Sequence, residues 1–359
     1  MKSLNSNVRD ADLSSTDKHI FPWKWNLSDL KSVSKNGRTV FTCFSCGGGS
    51  STGYKLAGYT VLGNCEIDPK MMEVYKTNHH PKYSYLMDIR DFVKLPDSEI
   101  PDELKHLDIL DGSPPCSVFS TIGRREDGWN TEKVFREGQA AQRLDDLFFY
   151  FIEVARKLQP KVIVAENVKG LLLGNAKGYV NEIIKAFDLA GYKVQIFLLN
   201  ASRMGVPQKR ERVFFIAHRK DLNYPKIKME FNENPILFGE IRSEKGKPVA
   251  GKDAELLKKA KPSDKYVSWI EAREYNKKLV SYRHIISDSD VSPTIVSSGS
   301  IYRQYDKMSL SDTDIINSQT FPQDYNFLDQ SVQYICGMSV PPIMMAQVAR
   351  QIERQWFNG

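Results

Sequence analysis

From Thr39 to Ala217 short apolar runs alternate with longer amphipathic stretches, and this rhythm constrains the fold more than any other feature of the chain. Short apolar runs bounded by turn residues read as strands buried on both faces, and the stretches between them read as covering helices. Residues 39–44 read as a first strand, followed by Gly47-Gly48-Gly49 and a helix over 50–56. Residues 59–65 form a second strand ending at Glu66, with a helix over 71–78. A third strand, 107–110, runs into Asp111-Gly112-Ser113-Pro114-Pro115-Cys116. Residues 139–158 read as an amphipathic helix, 162–165 as a strand closing on Glu166-Asn167, 177–189 as a helix, and 192–199 and 213–217 as strands. This alternation predicts the α/β class, with a mostly parallel sheet covered on both faces.

After Ala217 the rhythm stops. Residues 219–283 show no βα units, and there Lys and Arg outnumber Asp and Glu by six, which is the whole net charge of +6. A segment that meets a polyanion and a solvated lysine-rich insertion both fit that distribution. Two blocks follow, Ser292-Pro293-Thr294-Ile295 and Gln319-Thr320-Phe321-Pro322, and then a final helix over 342–354 with Val348 and Ile352 on one face. Residues 1–37 are polar apart from Ile20-Phe21-Pro22-Trp23-Lys24-Trp25 and read as an irregular arm.

With 359 residues, of which 41% are hydrophobic and 26% charged, the composition is that of a globular protein and excludes extended disorder. No apolar run approaches the ~20 residues of a membrane span. Asp10, Asp12 and Asp17 near the start exclude a secretory signal. Five cysteines without framework spacing point to a reducing, cytoplasmic setting.

Two groups of residues carry chemistry. The Gly47–Gly49 turn lets backbone N–H groups approach a ligand. Glu66, 19 residues after Gly47, stands where an acid takes both ribose hydroxyls of an adenosine cofactor. NAD and S-adenosyl-L-methionine both satisfy that pattern, but the displaced third glycine, in Gly47-x-Gly49-x-x-Thr52-Gly53, disfavours a pyrophosphate. Cys43-Phe44-Ser45-Cys46 with His79-His80 nominally offers a metal site, but no second CxxC exists and Cys43 belongs to a strand, so no metal is expected.

The second group lies at later strand ends, where crevices open in α/β sheets. It comprises Cys116 behind two prolines, Glu166-Asn167-Val168, and Gln208-Lys209-Arg210-Glu211-Arg212. A nucleophile, a proton partner and cationic clamps over one sheet edge suit covalent catalysis.

Taken in order, these blocks resemble the DNA (cytosine-5-)-methyltransferases of bacterial or phage type. The resemblance runs from about Thr39 to Ile352, apart from 219–283. It rests on 44–49, Glu66-Ile67-Asp68-Pro69, Asp88-Ile89, Pro115-Cys116 with Phe119-Ser120, Glu166-Asn167-Val168, Gln208-x-Arg210-x-Arg212, Ser292-Pro293-Thr294-Ile295 with Gln319-x-Phe321-Pro322, and Gly337-x-x-Val340-Pro341-Pro342. Two positions depart from the family pattern: Cys46 stands where a glycine is usual, and Met338 where an asparagine is usual.

The resemblance implies a Rossmann-like S-adenosyl-L-methionine-dependent domain over 38–218, a smaller irregular target-recognition domain over 219–325, and a return segment over 326–359. Phe44, Gly48, Gly49, Glu66, Asp88, Pro114, Ser339 and Val340 would hold S-adenosyl-L-methionine. Cys116 would add to C6 of a flipped-out cytosine while Glu166 engages N3, with Arg210 and Arg212 assisting. Ser120, Arg124, Arg125 and Gln208 would contact double-stranded DNA, and 117–138 would close over the base. A monomer is expected, with any cognate restriction endonuclease acting separately, in the cytoplasm at the nucleoid or encoded by a phage. Two rivals stay open here: a tRNA cytosine-5 methyltransferase sharing the chemistry, and a nicotinamide-dependent oxidoreductase that leaves the Pro-Cys and Gln-x-Arg-x-Arg blocks unused.

Overall fold

The computed structural model describes residues 19–115, 146–173, 176–277 and 283–358, with the backbone of the short ladder Glu132–Lys133 and Gln142–Arg143. Its centre is a seven-stranded sheet of β1 (Thr39–Cys43), β2 (Thr60–Glu66), β3 (Tyr83–Leu86), β4 (Ile109–Gly112), β5 (Val162–Val168), β6 (Tyr192–Asn200) and β7 (Glu211–Arg219). The spatial order is β3-β2-β1-β4-β5-β7-β6. Strands β1 to β5 pair in parallel. β7 runs antiparallel to both β5 and β6. The ten residues between β6 and β7 are too few for a crossover, so the chain turns back as a hairpin and β7 inserts beside β5.

Helices cover both faces, as the buried strands require. On one side α1 (Gly49–Leu56) packs against the C-terminal helix, Pro342–Ile352, in a core with Tyr54, Phe214, Ile343 and Val348. The approach is close at Gly53, where a Cβ would come within 2.3 Å of the Pro342 carbonyl. On the other side the helices Ile89–Lys94, Leu147–Leu158 and Ala176–Leu189 bury Phe92, Phe148, Phe151, Ile183 and Phe187 against Leu110, Ile163 and Phe215.

The structure differs from the sequence expectation in several elements. β3 and the helix Ile89–Lys94 were not anticipated; β3 is an edge strand with Tyr and Ser only half-buried, so it lacks an apolar run. The helix expected over 139–158 begins at Leu147. The C-terminal helix ends at Ile352 and passes into a π-helical turn, Glu353–Phe357, that buries Trp356.

Beyond β7 the chain builds two apolar clusters. One gathers Phe238, Ile241, Ile295, Ile315, Phe321, Tyr325 and Ile335, together with Met71 and Val74 from α2 (Pro69–His79). The other is smaller and holds Leu256, Leu257, Val267, Ile270, Ile285 and Tyr302. Among the described residues no helix is long and apolar enough to cross a membrane.

Candidate active site

The glycine turn is built under constraint. Phe44 and Cys46 both adopt positive φ, 54° and 45°, in which a side chain is strained and glycine is at ease. A methyl group on Gly48, itself at φ 83°, would come within 2.2 Å of His79 Nε2, and one on Gly49 within 2.4 Å of the Val340 carbonyl. Glu66, at the end of β2, faces this turn. Its carboxylate accepts N–H bonds from Cys46 at 2.7 Å, Ile67 at 2.9 Å and Asp68 at 3.0 Å. Burial pushes its carboxyl above the usual range, and the three N–H groups oppose that.

The neighbouring strand ends supply the second half. Asn167 on β5 donates to the Pro114 carbonyl at 3.2 Å, tying the loop after β4 to the strand that carries Glu166. Glu166 Oε1 lies 2.9 Å from Arg212 Nε on β7. Both are largely buried, and burial lowers the Arg212 pKa while Glu166 opposes the shift. One cavity of about 840 Å³ is lined by both halves: Phe44, Glu66, Asp88 and Pro114 on one side, Pro115, Glu166 and Arg212 on the other. Its far wall comes from beyond the sheet domain, with Arg283, His284, Thr294 and residues 296–301.

Residues 39–354 match the family described as C-5 cytosine-specific DNA methylase. The chain belongs to that family. Type II methyltransferase M.FnuDI of Fusobacterium nucleatum is 34% identical over 218 residues, covering 60% of this chain and 58% of that protein. Type II methyltransferase M1.HphI of Haemophilus parahaemolyticus is 29% identical over 341 residues, covering 89% and 88%. The chain thus spans little more than half of the first relative and most of the second. A triple mutant of Spodoptera frugiperda DNMT2 shares the fold, with a TM-score of 0.61 at 16% identity over 88% of this chain and 99% of that one.

Membership of this family implies a place for a methyl donor, and the residues lining the cavity fit an adenosyl compound. Phe44, Ile67, Met87, Ile89 and Leu147 give it apolar walls, and Glu66 gives it a hydroxyl acceptor. Asp88 also lines it, while capping the helix Ile89–Lys94 and pairing with Arg90 at 3.0 Å. Gly49, Ser339 and Val340 line instead a separate recess of about 10 Å³, and Gly48 lines neither, being pressed against His79. Cys46 borders the cavity; burial, then Glu66, push its thiol up to about 12. Cys43 is buried in the core.

Two expected contacts are placed differently. Arg210 is 2% exposed, and its guanidinium donates to the carbonyls of Ile295 at 2.8 Å, Gly337 at 3.0 Å and Ser339 at 2.9 Å. Although it borders the cavity, these bonds make it a strut between segments. Gln208, expected at DNA, is fully buried; its amide donates to Ser318 and Gln319 and accepts from the Ile295 N–H. Cys116, Ser120, Arg124 and Arg125, and the loop 117–138, lie outside the described residues.

The basic stretch is also more balanced than its composition suggests. Ten of its cations, among them Arg242, Lys252, Lys265, Arg273 and Arg283, lie within ion-pair distance of a carboxylate. Sequence reading missed the wall at 296–301 and Gln333. Small polar loop residues carry no periodic signal, and only their place after the Ser292-Pro293-Thr294-Ile295 block marks them.

Proposed function

We propose that the protein methylates C5 of a cytosine flipped out of a specific double-stranded DNA sequence, using S-adenosyl-L-methionine. The observation that carries this reading is the single cavity shared by Glu66, Pro115, Glu166 and Arg212. A ribose-binding acid and a base-binding acid opening into one space is what transfer between a nucleoside cofactor and a nucleobase requires.

Phe44, Glu66, Asp88 and Pro114 would hold the cofactor, which supplies an electrophilic methyl group when bound. The family resemblance assigns Cys116 as the nucleophile. Its thiolate adds to C6, and electron density then moves to C5, which is a poor nucleophile in free cytosine. Glu166 hydrogen-bonds or protonates N3 to make that addition easier, and Arg212 fixes the orientation of Glu166. After methylation a base removes the C5 proton, and Cys116 leaves C6. The target base must leave the stack, at a cost of a few kcal/mol. Residues 38–218 would form the catalytic domain, 219–325 the target-reading domain and 326–359 the return to the sheet. We place the enzyme in the cytoplasm as a monomer, independent of any cognate restriction endonuclease.

DNA carrying 5-fluorocytosine at the target tests the covalent step, because fluorine cannot leave as a proton does. A stable protein–DNA adduct is expected with the wild type and none with Cys116→Ser. An adduct formed equally by both proteins would contradict the assignment, and an adduct with tRNA but not DNA would favour the RNA-directed rival.

A further inference from the structure

Outside the residues that line the cavity, one side chain reaches the glycine turn from the far end of the sequence. The Tyr325 hydroxyl donates to the Gly47 carbonyl. Its ring is buried, lying 5.1 Å from both the Phe321 and the Phe327 ring, and its oxygen is 3.3 Å from His79 Nε2. The adjoining backbone is strained at Phe44 and Cys46, and such a conformation persists only where its surroundings over-determine it. The Cys46 N–H in turn holds Glu66 Oε2. The hydroxyl therefore fixes the Gly47–Gly48 peptide, two along from the Ser45–Cys46 peptide whose N–H orients the ribose-binding acid.

Tyr325 is itself held by the N-terminal arm. The Trp25 indole, 4% exposed, donates to the Thr320 carbonyl at 3.1 Å, and the Trp25 carbonyl accepts from the Gln323 N–H at 2.8 Å. The Leu27 N–H donates to Asp324 Oδ1 at 2.6 Å. These three bonds fasten residues 320–324, immediately before Tyr325. Trp25 and Leu27 precede the family-matched segment, which starts at residue 39.

We propose that Tyr325 is a positioning residue for the cofactor turn, and that the arm around Trp25 keeps it in place. This rests on the cofactor reading above. The arm thereby acquires a role in ligand affinity that its polar composition does not suggest.

Calorimetry with S-adenosyl-L-homocysteine on the full chain tests the proposal. Tyr325→Phe removes the buried hydrogen bond to the Gly47 carbonyl, worth about 1 kcal/mol, which corresponds to roughly fivefold weaker binding. The KM for S-adenosyl-L-methionine should rise by a similar factor, more than kcat falls, and DNA affinity should not change. Trp25→Phe keeps an aromatic ring, though a smaller one, and loses the indole donor; it should weaken binding about twofold. Combined with Tyr325→Phe it should add less than its separate effect, because the arm acts on the Gly47 carbonyl only through the Tyr325 hydroxyl. Unaltered homocysteine-ligand affinity in Tyr325→Phe would overturn the positioning role, and full additivity would overturn the part assigned to the arm. Should Tyr325→Phe fail to fold, unaltered affinity in Trp25→Phe would likewise overturn the relay. No binding by the wild type would instead remove the cofactor reading, and this proposal with it.

Discussion

Arg212 Nε lies 2.9 Å from Glu166 Oε1 across two antiparallel strands, with Arg212 opposite Val168 and Glu166 opposite Phe214. That diagonal offset of two residues puts both side chains on one face of the sheet. The reversal of β7 is what creates the contact. Glu166 is consequently oriented by a neighbouring strand, and its carboxylate meets the cavity in a geometry that its own strand does not fix.

Arg212→Lys should retain the charge but lose the planar guanidinium, which a lysine cannot reproduce. Methylation is expected to fall roughly tenfold or more, part of the ~10²-fold that a positioned proton donor contributes. Affinity for S-adenosyl-L-homocysteine should be nearly unchanged, since Glu66 lies on another strand. Steady-state kinetics with calorimetry separates the two, and wild-type turnover by the variant would contradict the orienting role.

Arg210→Met should act on stability. Three buried carbonyls would lose a donor; Ser339 keeps the Gln319 amide, but Ile295 and Gly337 are left unpaired, at about 1–3 kcal/mol each before relaxation. Urea unfolding should show a loss of roughly 3 kcal/mol. A variant as stable as the wild type would show that these bonds are replaced at no cost.

Asp111 gives a pH signature. It is 1% exposed and accepts from Thr42, Ser50 and Tyr54, yet burial pushes its carboxyl up to about 6. The folded value then exceeds the unfolded one near 4, so the native state binds more protons in that window and this group's contribution to stability falls as pH rises from 4 to 6. The difference in unfolding free energy between wild type and Asp111→Asn should decline over that range by roughly 2–3 kcal/mol. A flat difference would mean that the hydroxyl donors fully offset burial.

The sheet was legible because strands buried on both faces announce themselves as apolar runs, as 162–165 and 213–217 do. β3 was not, because an edge strand reading Tyr-Ser-Tyr-Leu has no such run. Pairing of Glu166 with Arg212 needs the hairpin between β6 and β7, and strand direction is not written in composition. The same gap explains Arg210 and Gln208. Alternation along Gln208-x-Arg210-x-Arg212 gives all three the look of one functional face, but only the tertiary contacts show that 208 and 210 meet buried backbone and that 212 meets a carboxylate. Tyr325 and Trp25 act over sequence distances at which no local pattern exists.

The smaller apolar cluster of Leu256, Leu257, Val267 and Ile270 does not include the residues that bury Phe238 and Phe321. Exchange of residues 245–283 for the corresponding stretch of a relative with another target should therefore change which cytosine is methylated and leave the catalytic chemistry intact. Base choice lies elsewhere if the exchanged enzyme, assayed on mixed-sequence DNA, keeps its original target.

Expression in a host without DNA methylation, followed by genome-wide mapping of 5-methylcytosine, tests the central claim most directly. The account predicts 5-methylcytosine at one short recurring sequence with the wild type and none with Cys116→Ser. An unmethylated genome in cells producing folded wild-type protein, or methylation undiminished by Cys116→Ser, would contradict it.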